Sequence, residues 1–327
     1  MLNLNIYIFL YSFLLSSVII FIIKNISLKR KIFISQDTPL IGGIAIGISF
    51  ILSAIVGFSI FGGFNIKILG FLLASFLMLL FGIIDDYKEF SVPTKFFVQI
   101  IATLILVSFN IKTQIMGIGN LLNLTITFLW VIGITNAFNH LDIIDGLAGG
   151  VSFIVGLSFF IISLFNKDMQ VMVVSLVLLG PILSFLIYNM PPAKIYMGNS
   201  GSHLVGFILS SQAIMLSYAS LDRKVALVSP ILILGCPIYD TSFLILMRLK
   251  NKRSIFRKSK DHLVFRFLSL THSYKKSLIY MYLITIIFSA SGIAISQLSN
   301  IYSIFIIFSI GILATLLTIN MSKINVQ

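Results

Sequence analysis

An all-α polytopic integral membrane protein is the fold class this sequence predicts, and three observations predict it. Mean hydropathy is +1.08. Of 327 residues, 58% are hydrophobic and 10% charged, with thirty Phe against ten acidic residues, a composition far outside that of soluble domains. The apolar residues also gather into runs of about 17 to 25, the length a helix needs to cross a hydrocarbon core of about 30 Å.

Eleven such runs lie near 5–23, 41–61, 68–84, 95–110, 119–135, 147–165, 169–188, 202–219, 225–247, 275–296 and 300–321. Several are short or closely spaced, so the expectation is about 10–11 transmembrane helices. Each has to be helical, because a backbone in lipid can bond only to itself, and no alternating barrel-strand pattern is present. The first run lacks a basic leader and a small-residue cleavage site, and Lys24, Lys29, Arg30 and Lys31 follow it directly. It reads as an uncleaved anchor with the N-terminus outside, which puts the C-terminus in the cytoplasm after eleven spans.

Charge placement tests that topology independently. Eighteen of the 23 basic residues fall on segments assigned to the inside, ten of them between Arg248 and Lys276; Lys67, Lys112, Lys167, Arg223 and Lys224 fall outside. The net charge of +13 is therefore a topology signal with an attraction for anionic lipid and anionic substrates, not a nucleic-acid footprint. The sole cysteine, Cys236, lies inside an apolar run, so no intramolecular disulfide forms. No soluble domain, linker or internal repeat is apparent.

With orientation set, Asp168 and Asp222 fall outside, Asp240 falls within the ninth run, and Asp37, Asp85, Asp86, Glu89, Asp142, Asp145 and Asp261 crowd the inner face. Asp37, Glu89 and Asp261, each taken alone, read as caps or solvated charges. Asp85 and Asp86 in FGIIDDYKEF do not, because adjacent carboxylates ending an apolar span repel each other unless a cation or base compensates. Neighbouring helical positions point about 100° apart, so the two face different partners.

In NAFNHLDIIDGLAGG, residues 136–150, Asn139, Asp142 and Asp145 are successive i,i+3 neighbours. A strict helix would splay them over half a turn; unwinding into a loop by Gly146 lets them converge. In KIYMGNSGSHLVGF, residues 194–207, Gly198, Gly201, Ser200 and Ser202 precede an apolar run, which makes a helix N-terminus with free backbone N–H groups, a ready anion site. Tyr196 offers a ring for a base, although a tyrosine at an interface is more often an anchor. The Arg248–Lys276 loop reads as a lipid-attracting segment that could also funnel a phosphate-bearing substrate; His262 is a candidate contact, while His140, His203 and His272 read as structural. Carboxylates with carboxamides beside such a helix start suit Mg²⁺ and a diphosphate, because hard cations take oxygens from one or two carboxylates plus phosphate.

With TPLIGG at 38–43, Asp85-Asp86, NAFNHLDIIDGLAGG, YMGNSGS, PIYDT at 237–241 and DHLVFR in the last loop, the sequence resembles the polyprenyl-phosphate N-acetylhexosamine-1-phosphate transferase family, the MraY/WecA type, and within it the WecA-like branch. The resemblance implies one transmembrane transferase domain over residues 1–327, with its active site on cytoplasmic loops. It implies Mg²⁺-dependent transfer (Mn²⁺ being an alternative) of a sugar 1-phosphate from a UDP-N-acetylhexosamine, UDP-GlcNAc by default, to undecaprenyl or another polyprenyl phosphate. UMP would leave, and the lipid-linked diphosphate sugar would start a cell-surface polysaccharide such as lipopolysaccharide. A multi-pass protein of the bacterial inner membrane is implied, with room for a homodimer.

By the same resemblance Asp85, Asp86, Asp142 and Asp145 are the catalytic set, and with Asn199 they are the metal set. Asp85 is the one that would activate the lipid phosphate. Asn139, Asp142 and Asp145 would contact the nucleotide diphosphate or help place the metal. Tyr196 would stack on uracil, Lys88 and Lys95 would meet the lipid phosphate, and His262 and Arg266 would contact substrate. Three departures stand out: Asn199 replaces the aspartate of the family's MGD, Ile143 replaces the first glycine of its DGxDG, and the histidine-rich signature of the last loop shrinks to His262 with Arg266. The last of these argues against the peptidoglycan enzyme that uses UDP-MurNAc-pentapeptide. The competing expectations are a transporter or lipid flippase, which would place its ionisable residues at mid-membrane, and a catalytically degenerate relative, motivated by Asn199.

Overall fold

A computed structural model of the chain describes residues 2–219, 222–254 and 260–326. Helices carry nearly all of it: α1 (Leu2–Arg30), α2 (Gly42–Phe61), α3 (Ile66–Tyr87), α4 (Val92–Ser108), α5 (Gly119–Leu141), α6 (Leu147–Asn166), α7 (Met169–Asn189), α8 (Gly198–Met215), α9 (Ser229–Ile233), α10 (Gly235–Lys250), α11 (Leu263–Thr271), α12 (Tyr274–Gln297) and α13 (Asn300–Ser322). A two-residue-strand hairpin, β1 (Ile34–Ser35) with β2 (Thr38–Pro39), turns at Gln36 and Asp37, both at positive φ. Helix starts follow local chemistry. Asn65 accepts from the Ile68 amide and Asp168 from the Val171 amide, each satisfying an orphan N–H, and Pro93 sits in the first turn of α4, where its missing donor costs nothing.

Among the described residues eight helices are long and apolar enough to span a membrane: α1, α2, α3, α5, α6, α7, α12 and α13. With α4, α8 and the α9–α10 pair they coincide with the eleven expected runs. Large apolar side chains such as Phe21, Phe97, Leu129, Phe305 and Phe308 are exposed, which in water would be an aggregation liability and in a bilayer is the lipid-facing surface. The protein is thus a multi-pass membrane protein.

The run at 225–247 differs from expectation. It is not one straight span: Lys224–Ile233 and Gly235–Lys250 meet at a 70° bend. Gly235 and Pro237 explain the break, since proline removes an N–H and its ring clashes with the carbonyl one turn back.

Packing divides the chain into two compact units, Met1–Ser217 and Tyr218–Gln327. In the first, α8 is central: fifteen of its eighteen residues are buried, and it packs against α2, α3, α5 and α6. Small residues permit that approach, as they do between membrane helices generally. A Cβ on Gly43 would lie 2.0 Å from the Gly201 nitrogen, and one on Gly82 would lie 2.4 Å from Ser200 Cα. In the second unit α9, α10, α12 and α13 contribute to a cluster around Leu232, Phe288 and Ile295.

Candidate active site

The end of α3, the start of α4, the end of α5 with the turn that follows it, the end of α7 and the start of α8 supply the polar residues of the candidate site. Asp85 is buried, and each of its oxygens has a partner. Its Oδ2 lies 2.7 Å from Lys95 Nζ on α4, and its Oδ1 accepts from the Phe90 amide at 2.7 Å. Asp86, one residue on, points elsewhere, as helical geometry requires. Its two oxygens accept from the Asn199 and Ser200 amides at 2.6 and 3.0 Å.

The helix start predicted as an open anion site is therefore filled by the chain's own carboxylate. Gly198, at φ +73, makes the fit possible: a Cβ there would meet Asp86 Oδ2 at 2.7 Å. The macrodipole and free N–H groups of α8 are what attract Asp86.

The α5–α6 connection unwinds as expected, with α5 ending at Leu141 and Gly146 adopting φ 81 before α6. Two ties hold the turn to the segment preceding α8. Asp145 Oδ2 accepts from the Ala193 amide at 2.9 Å. Asn189, buried, accepts from the Gly146 amide at 2.8 Å and donates to the Ile195 carbonyl at 2.9 Å. On α5, Asn139 Nδ2 donates to Asn199 Oδ1 at 3.1 Å and to Ser202 Oγ at 2.9 Å. One turn earlier Asn136 and Gln99 exchange two carboxamide hydrogen bonds, of 2.7 and 3.3 Å. The TPLIGG stretch also joins the site, because the Tyr196 amide bonds the Pro39 carbonyl and the Gly42 and Gly43 amides bond the Tyr196 and Met197 carbonyls.

Asp142 is the exception among the four predicted carboxylates. Among the described residues its side chain makes no hydrogen bond or ion pair, and it is partly buried. Burial, and then the charges of Asp86 and Asp145, push its carboxyl up to about 7. This corner is short of positive charge.

The other predicted contacts are placed as follows. Tyr196 is half-buried, and Lys88 is exposed at the end of α3. In the second unit His262 Nδ1 lies 2.7 Å from Asp240 Oδ2, whose other oxygen accepts from the Leu263 amide, all buried. Arg266 donates to the Met321 and Ile324 carbonyls and lies over the Phe243 ring. Asp240, the acidic residue predicted at mid-span, is thus a buried partner for α11. Arg257 and Lys258 of the basic loop lie outside the described residues. Asn136, Gln99 and Asn189 were not predicted as part of the site. Their only signal in the sequence is that carboxamides on apolar spans need partners.

The oxygen donors here fit a hard cation. Asp142 is uncompensated, Asp86 and Asp145 keep unused lone pairs, and Asn199 presents an amide oxygen. Among the described residues no three His, Cys, Asp or Glu side chains form a metal-binding group. A cation bound by one or two carboxylates, an amide and substrate phosphates needs none.

A multi-helix membrane bundle whose carboxylates and carboxamides converge on the start of a buried central helix defines an integral membrane protein with a polar site built at the ends of its helices. Residues 68–217 match the family model described as glycosyl transferase family 4. The chain is 33% identical over 318 residues, 92% of its length and 87% of the relative's, to a probable undecaprenyl-phosphate N-acetylglucosaminyl 1-phosphate transferase of Bacillus subtilis (strain 168). It is 30% identical to a decaprenyl-phosphate N-acetylglucosaminephosphotransferase of Mycobacterium tuberculosis (strain ATCC 25618 / H37Rv), over 75% of this chain and 69% of that one. A phospho-N-acetylmuramoyl-pentapeptide-transferase of Carboxydothermus hydrogenoformans is 28% identical, over 55% of this chain and 62% of that one. The chain belongs to glycosyl transferase family 4.

Proposed function

We propose that this protein transfers N-acetylglucosamine 1-phosphate from UDP-N-acetylglucosamine to a polyprenyl phosphate such as undecaprenyl phosphate, releasing UMP. The observation that carries the reading is the uncompensated Asp142 beside Asp86 and Asp145, with Asp86 docked on the Asn199 amide at the start of α8, in a chain whose long matches are to enzymes named for polyprenyl-phosphate N-acetylglucosamine transfer. The match to the muramoyl-pentapeptide enzyme is shorter and less identical, which supports the smaller donor.

In the transfer, an oxygen of the lipid phosphate attacks the sugar-bearing phosphorus of the donor. That P–O bond forms as the P–O bond to UMP breaks, and UMP leaves as the anion. The lipid phosphate is ionised near neutral pH, so no strong base is required; in-line placement and charge neutralisation do the work. Asp142, Asp86 and Asn199 would hold Mg²⁺ or Mn²⁺, which when bound supplies charge neutralisation at the diphosphate. Asn139 orients Asn199, Asp86 anchors the α8 start, and Asp145 with Asn189 holds the turn that carries Asp142. Tyr196 is proposed to stack on uracil, and Lys95 and Lys88 to meet the acceptor phosphate.

The location proposed is the bacterial inner membrane, with the site cytoplasmic, the N-terminus outside and the C-terminus inside, as basic-residue placement supports. A C-terminal reporter fusion active only in the periplasm would overturn that orientation. The product would start a cell-surface polysaccharide.

UMP release by purified protein with undecaprenyl phosphate, Mg²⁺ and a panel of UDP-N-acetylhexosamines, with and without EDTA, tests the reading. EDTA-sensitive release with UDP-GlcNAc is expected; silence across the panel favours a degenerate relative, the reading that Asn199 motivates. Asn199→Asp adds a charge to a site already short of cations, so it should lower the Mg²⁺ concentration for half-maximal rate. A large loss of activity instead would show that the amide acts in its own right.

A further inference from the structure

We propose that Asp85 is a positioning residue for Lys95, and neither the proton acceptor nor a cation ligand. This rests on the transferase reading above and assigns the acceptor-phosphate contact within the same site. Asp85 Oδ2 holds Lys95 Nζ at 2.7 Å and Oδ1 holds the Phe90 amide at 2.7 Å, so one oxygen fixes the ammonium and the other closes the α3–α4 turn from which Lys95 projects.

Exposure separates the partners. The Asp85 side chain is 0% exposed and that of Lys95 is 16%. Phe81 and Phe90, stacked with ring centroids 5.7 Å apart, and His203, 5.9 Å from Phe81 on α8, add apolar and aromatic bulk beside the pair. An incoming phosphate therefore meets the ammonium and not the carboxylate behind it. Electrostatics agrees, because the buried Asp85 carboxylate already has its counter-charge in Lys95, whereas Asp86 and Asp142 have no ion pair among the described residues.

The other carboxylates complete the division. Asp86 is docked on the amides of α8 and Asp145 on that of Ala193, while Asp142 is without a partner among the described residues. The residue that the family resemblance marks as the activating aspartate is, in this geometry, an orienting group one step removed from substrate.

A double-mutant cycle over Asp85→Asn and Lys95→Gln tests this with two readouts: equilibrium binding of undecaprenyl phosphate to purified protein, which needs no turnover, and steady-state UMP release. Each single variant should weaken lipid-phosphate binding and raise its KM on the order of tenfold, the loss of one charge contact. The double variant should be no worse than Lys95→Gln alone, because Asp85 then has nothing to orient. The Mg²⁺ half-saturation of Asp85→Asn should equal that of the unaltered protein.

Losses that multiply in the double variant, a shifted Mg²⁺ requirement, or Asp85→Asn losing kcat with binding intact would overturn the proposal. Should the unaltered protein bind lipid phosphate but release no UMP with any donor, the transferase reading fails, and the binding arm of the cycle still decides the role of Asp85.

Discussion

Asp142→Asn should lower turnover by about a thousandfold, the middle of the range that a positioned acid–base group contributes, while leaving the protein folded in detergent. The two halves of that expectation come from one observation. Asp142 makes no hydrogen bond or ion pair among the described residues, so nothing in the fold is lost when its charge is removed. What is lost is the only one of the four carboxylates not already committed to the scaffold.

A stability measurement separates this from unfolding. Burial and the charges of Asp86 and Asp145 raise the Asp142 carboxyl to about 7 in the folded chain, from an ordinary value of 3.8. Between those values the unfolded chain releases its proton first, so ionisation across that window favours unfolding and stability falls as pH rises. Asp142→Asn should therefore melt higher than the unaltered protein in EDTA at pH 8, with the difference vanishing toward pH 4. Saturating Mg²⁺ should reverse the order, because only the carboxylate gains from the cation. A variant that melts lower in EDTA at pH 8 would mean that Asp142 is a structural partner after all, and full turnover would remove it from the site.

How much of this could be read beforehand depends on the range of the interaction. Span length is a local property, so every apolar run of the chain coincides with helix; the one misreading, the straight span over 225–247, came from giving hydropathy precedence over Gly235 and Pro237. The α5–α6 turn was legible too, because Gly146 at φ 81 is a local necessity.

What sequence could not show is which distant partner consumes each polar group. Asp86 and the Asn199 amide are 113 positions apart, Asn139 and Asn199 are 60 apart, and Gly146 and Asn189 are 43 apart. The start of α8 looked like an open anion site because nothing local says that Asp86 fills it. Lys95 looked like a free phosphate contact because the α3–α4 turn that places it against Asp85 is a matter of tertiary angle. Tyr196 shows the same limit in reverse: the ring was the legible feature, whereas the backbone on either side of it is what α2 and the β-hairpin grip.

Gly82→Ala is the second large effect expected, and it acts without touching a polar group. Gly82 lies one turn before Asp86 on the face of α3 that meets α8. A Cβ there would sit 2.4 Å from Ser200 Cα, 2.9 Å from the Ser200 nitrogen and 3.0 Å from the Asn199 carbonyl. All three are backbone, so no side chain can rotate away and the first turn of α8 has to retreat by about 1 Å. That turn carries the two amides that hold Asp86 and the Asn199 amide that Asn139 orients.

Misplacement of that size in a site that works by alignment costs on the order of a hundredfold in rate, and overpacking of a tight contact costs about 1–3 kcal/mol of stability. Both should appear together, as a lower melting temperature and a rate loss that added Mg²⁺ does not restore. Gly133→Ala on α5 is the matched control, since a Cβ there meets nothing within 4 Å and should leave rate and melting temperature unchanged. If Gly82→Ala were as silent as Gly133→Ala, the start of α8 would have to slide freely along α3. The alignment of Asp86 with α8 could then not be what sets the geometry of the site.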